Sequence, residues 1–71
     1  MIKHGFSYHW PRKNPMGYED RTHHEHAHAA TLNEARRLVR QRFAADEGRG
    51  VVVEIHWQPR GGGLRGYKVT L

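Results

Sequence analysis

From Thr31 to Asp46 the chain reads TLNEARRLVRQRFAAD, and Leu32, Ala35, Leu38, Val39 and Phe43 recur at three- and four-residue intervals. That spacing is the apolar stripe of an amphipathic helix. Thr31 followed by Glu34 has the spacing of a capping box, in which each side chain satisfies a backbone N–H that the first helical turn leaves unpaired. Gly48 marks the stop. Arg36, Arg37, Arg40 and Gln41 fall away from the stripe and Arg42 lies at its margin, so the outer face is strongly basic.

Beyond the helix the pattern changes to β-branched and aromatic runs. VVVEIHWQ (51–58) and LRGYKVTL (64–71) flank PRGGG, which predicts a hairpin with a five-residue loop. That loop length pairs Val51 with Leu71, Val53 with Val69, Ile55 with Tyr67, and Gln58 with Leu64. On the other face Glu54 meets Lys68, opposite charges directly across the ladder. A slip of one residue would destroy both sets of matches.

The first third predicts a second hairpin. Phe6, Tyr8 and Trp10 alternate strictly, a strand signal, and NPMG (14–17) has the residues of a type I turn. Pairing outward from that turn sets Arg12 against Glu19, Trp10 against Arg21, Tyr8 against His23, Phe6 against Glu25 and His4 against Ala27. Pro11 is expected to limit its strand to an edge or a bulge. The rival is a helix running on from about Thr22, since HEHAHAA contains no breaker; Thr31 as a cap favours the strand. The expected fold is therefore a single α+β domain over residues 1–71, in the order β-β-α-β-β, with two hairpins in one antiparallel sheet and one helix across one face. One helix covers one face only. The other meets water, a second copy in a homodimer, or a partner.

Size and charge narrow the picture. In a chain of 71 residues one core supplies only about 3–5 kcal/mol. The chain has no cysteine, hence no disulfide framework or thiolate metal site. No signal-peptide run or membrane span is apparent, so a soluble cytoplasmic protein is expected, in the host cytoplasm if the gene is phage-borne. Twelve Lys and Arg oppose seven Asp and Glu, a formal charge of +5. Arginine supplies nine of those cations, and its planar fork suits phosphate and carboxylate. Such a balance is the footprint of nucleic-acid binding, or of attraction to an acidic protein surface.

The residues expected to make those contacts are Lys13, Arg36, Arg37, Arg40, Arg42, Arg60 and Arg65, with Trp57, or Trp10, available for stacking where exposed. Arg65 falls opposite Trp57 in the register above, where a guanidinium can lie on the indole. The glycine triplet beside Arg60 is no P-loop, since the required lysine and following helix are missing. The alternative for every one of these cations is an ordinary solvated face.

HHEHAH (23–28) contributes a different chemistry. On a strand His24, His26 and His28 share a face, with His9 and Ser7 of the neighbouring strand beside them and Glu25 turned the other way. His9, His24, His26 and His28 form a candidate zinc or nickel set, against the plainer reading of a solvated polar strand. These rings also titrate near neutrality, adding positive charge as pH falls. Catalysis has little material: one serine, no cysteine, and a shallow domain that excludes little water. No enzyme is expected, even though His9, His24 or His56 beside an arginine could in principle make an acid–base pair for RNA cleavage. The leading expectation is a small basic nucleic-acid-binding domain. The first alternative is an accessory protein of the phage or mobile-element kind that binds and inhibits or adapts a host protein; the second is a histidine-cluster metal protein.

Overall fold

The computed structural model describes residues 2–11 and 23–71. Four strands, β1 (His4–Trp10), β2 (His23–Ala29), β3 (Val52–Trp57) and β4 (Arg65–Thr70), form one antiparallel sheet in the order β2-β1-β3-β4. The helix α1 (Leu32–Arg42) joins β2 to β3. Because β2 and β3 both run antiparallel to β1, they point the same way on either side of it. The helix is thus the crossover of a split β-α-β unit. Among the described residues no helix is long and apolar enough to cross a membrane.

The helix starts as the sequence predicts. Thr31 is extended and its Oγ1 accepts a hydrogen bond from the Glu34 N–H at 3.1 Å. Only this half of the capping box is made, because the Glu34 carboxylate turns to Lys3 at 3.8 Å. The α-helix ends at Arg42, and the chain continues as a 3-10 turn over Ala44–Asp46. Gly48, at φ 83°, follows that turn in a conformation that favours glycine and does not itself end the α-helix.

β3 and β4 adopt the predicted register, with Val53 opposite Val69, Ile55 opposite Tyr67, Glu54 opposite Lys68 and Trp57 opposite Arg65. The first hairpin is a strand pair, but its register differs by two residues. His4 faces Ala29, Phe6 faces Ala27, Tyr8 faces Glu25 and Trp10 faces His23. A shift of two preserves which face each side chain takes, since the pleat repeats every two residues. The NPMG turn, the Arg12–Glu19 pair and Lys13 lie outside the described residues. Pro11 does not hold β1 at an edge. β1 is paired on both sides and ends one residue before the proline, so no ladder N–H is missed.

One face of the sheet and the helix stripe make the core: Phe6, Tyr8, Ala29, Ala35, Val39, Phe43, Val53, Ile55, Trp57, Val69 and Leu71. Ala29 and Ala35 are fully buried, and their small size suits the close approach of α1 to β2. Ile55, Val39 and Val53 are the largest fully buried side chains. Ile55→Ala should cost about 2–5 kcal/mol, comparable to the entire stability expected of so small a core, so the variant should lose its cooperative thermal transition by circular dichroism. Ile55→Val should keep it. A melt of Ile55→Ala matching the parent would contradict this packing.

Candidate functional site

Alternation sends every second residue of each strand away from the helix. Across the sheet this uncovered face presents His24, His26 and His28 from β2, then Gly5, Ser7 and His9 from β1. Val52, Glu54 and His56 follow from β3, and Gly66, Lys68 and Thr70 from β4. Five of the seven histidines therefore share one surface, which makes it polar where the opposite surface is the core.

The tightest grouping lies on the two central strands. His9 is directly opposite Glu54, and Ser7 is opposite His56. The rings of His9 and His56 meet edge to face with centroids 4.1 Å apart. Donor atoms of His9, Glu54 and His56 all lie within 4.8 Å of one another. His56 Nε2 approaches Glu54 Oε1 to 3.2 Å, yet this covered nitrogen has no partner of hydrogen-bonding geometry. Proximity here is real, while the angle is wrong for a hydrogen bond.

Gly66 is part of the same arrangement. It is the register partner of His56, and a Cβ there would lie 2.6 Å from Glu54 Oε1. The missing side chain is what lets the carboxylate lean towards His56.

The expected set of His9, His24, His26 and His28 is thus rearranged. His24 is opposite His9, and its ring lies 5.8 Å from that of His26. His26 and His28 sit opposite Ser7 and Gly5, away from the group that closes around His9. Glu54 and His56 fall outside the expected set. Once β1 is placed beside β3, alternation alone identifies them; that adjacency has no local signal in the sequence.

The arginines divide into two groups. Arg42 contacts the Glu25 carboxylate at 2.9 Å and 3.0 Å, with its guanidinium over the rings of Phe43 and Trp10. Arg40 pairs with Glu47 at 3.3 Å and donates to the Thr70 carbonyl at 3.4 Å. These two tie the helix to the sheet. Arg36 donates to Asn33 Oδ1 and lies over the half-buried Tyr67 ring, 5.8 Å from its centroid, and Arg37 is exposed. Arg60 lines an open cleft of about 630 Å³ with His4, Thr31, Leu32 and Pro59, and Arg65 is exposed on β4.

The condition for stacking on Trp57 is not met. That indole is 8% exposed and packs against Phe6 at 5.7 Å and His4 at 6.5 Å. Trp10 is likewise occupied, by Phe43, Arg42 and His23. Tyr67 is also left partly open beneath an arginine, because α1 lies over β2 and β3 and leaves β4 at the margin. The tyrosine of the first strand is held differently: burial, reinforced by Glu25, pushes the Tyr8 phenol above its ordinary 10.0, and Arg42 opposes the shift.

Comparison with protein-family models, with curated proteins and with solved structures finds no match for this chain.

The His9 ring is held below its ordinary pKa of 6.5, first by burial and then by the neighbouring His56, with Glu54 pulling the other way and His24 adding a little. The folded state therefore binds a proton at His9 less readily than the unfolded state. Its contribution to stability is present above pH 6.5 and is lost as pH falls through the lower folded value. In chelator, denaturation midpoints should fall more steeply with acidification in the parent than in His9→Gln. Equal slopes would contradict the placement of His9 against His56.

Proposed function

We propose that this chain is a small nucleic-acid-binding domain that grips backbone phosphates with arginine side chains. The observation that carries this reading is the internal disposal of negative charge. Each Asp and Glu side chain among the described residues lies within 4.0 Å of a basic side chain: Glu25 by Arg42, Glu34 by Lys3, Asp46 by Arg49, Glu47 by Arg40, and Glu54 by His56. Arg36, Arg37, Arg60, Arg65 and Lys68 have no carboxylate partner among the described residues. Among the described residues the surplus is thus concentrated in a few exposed groups, and most are guanidinium forks suited to phosphate.

Arg36 and Arg65 flank Tyr67 on the helix side of β4. A base laid on that ring between two guanidinium groups would meet the combination that single-stranded nucleic acids favour, stacking plus phosphate neutralisation. Arg40 and Arg42 contribute to the field, but their side chains are engaged with the fold. Exposed pairs such as Arg40–Glu47 are weak, so these contacts redirect the arginines more than they neutralise the surface.

A second reading rests on the sheet edges. β2 and β4 are the outer strands of the sheet, and an acidic host protein could add a strand beside β4 under the same cations. Capture after nuclease treatment distinguishes the two, since a protein partner survives that treatment and a nucleic-acid partner does not.

Binding of labelled single- and double-stranded oligonucleotides, followed by fluorescence anisotropy, is expected to weaken steeply with salt. For four phosphate contacts on a duplex the slope of log K against log salt is about −3 to −4. Replacing Arg36, Arg37, Arg60 and Arg65 together with alanine should abolish that dependence while leaving the circular dichroism spectrum intact. Absence of binding at low salt, or unchanged binding by the quadruple variant, removes the reading.

A further inference from the structure

We propose that His9, Glu54 and His56 form a binding site for a divalent cation of the zinc class on the uncovered face of the sheet. The site stands apart from the phosphate-binding arginines and needs none of them.

The donors come from neighbouring central strands, and the β1–β3 register, His9 opposite Glu54 and Ser7 opposite His56, brings them together on one surface. Sites built on paired strands are held more firmly than sites on loops. Two imidazoles with one carboxylate suit zinc and its borderline neighbours, whereas magnesium and calcium call for oxygen donors throughout.

The spacing is close to what such an ion requires. Tetrahedral ligands at zinc bond lengths stand about 3.3–3.4 Å apart, and Glu54 Oε1 and His56 Nε2 are already separated by 3.2 Å. The remaining separations are no greater than 4.8 Å. Modest side-chain rotations would close them.

Two further observations point to a ligand. His56 Nε2 is covered and has no hydrogen-bond partner, although a carboxylate oxygen lies within bonding distance. A nitrogen and an oxygen that approach without sharing a well-aligned proton are disposed as two ligands of one ion would be. The absence of a side chain at residue 66 is the second. A Cβ there would lie 2.6 Å from Glu54 Oε1, so the carboxylate would have to leave its present position, and glycine gives it the room it occupies beside His56. His24, opposite His9, is placed to supply a fourth donor, and otherwise water completes the sphere.

The test is calorimetric titration of zinc into tag-free, chelator-stripped full-length chain without nucleic acid, with histidine ring resonances followed by NMR. One equivalent should bind, shifting the rings of His9 and His56 together. His9→Gln, His56→Gln and Glu54→Gln should each weaken binding by at least about 10- to 100-fold, the loss seen even when a group that merely orients a ligand is removed. Gly66→Ala removes no donor and should also weaken it, while His28→Gln should leave it unchanged. Circular dichroism identifies any variant that fails to fold, and for such a variant the ring shifts of the parent decide. No stoichiometric binding, or binding that survives at His9 and His56 but is lost with His26→Gln or His28→Gln, would overturn the proposal.

Discussion

A four-stranded sheet has two faces, and this chain has one helix with which to cover them. That inequality organises the molecule. Phe6, Tyr8, Val53, Ile55 and Val69 turn towards α1 and become core, so the residues between them must face outward. The outward set is Ser7, His9, Glu54, His56 and Lys68, continued by the β2 histidines. Burial on one side thus fixes, through the two-residue pleat, the chemistry on the other.

The same economy governs charge. With a small core, ties between the helix and the sheet matter, and Arg42 provides one by meeting Glu25 of β2 while covering Phe43 and Trp10. Arg40 reaches the carbonyl of Thr70 at the far end of β4. Basic residues that look equivalent along one helix therefore take different roles. Arg40 and Arg42 reach from the helix to the sheet, whereas Arg36 lies over Tyr67 and Arg37 is exposed.

The helix and the second hairpin are legible in the sequence because their signals are local. The capping threonine, the three-four spacing of the stripe, and the coincidence of apolar pairs with Glu54–Lys68 all lie within short stretches. The register of the first hairpin is not legible from a turn motif alone, since alternation of side chains constrains which face each residue takes but not a displacement by two. Its faces are nevertheless predicted correctly, as a displacement by two residues leaves alternation intact. The neighbourhood of β1 and β3 is hidden for a different reason: it joins distant residues through the path of a crossover, and no periodicity encodes it. For that reason Glu54 and His56 escape the set of His9, His24, His26 and His28 expected from the sequence. Trp57 misleads because its class favours stacking wherever it is exposed, and a position inside the hairpin register gives no measure of exposure.

The uncovered face owes its chemistry to β1 lying beside β3 with His9 and His56 turned away from the helix. Nuclear Overhauser contacts of the assigned histidine rings test this placement most directly. Cross-peaks are expected between the ring protons of His9 and His56, and none from either ring to Val39 or Phe43. Contacts from these imidazoles to the helix side chains, or backbone contacts pairing β1 with β4 in place of β3, would contradict it.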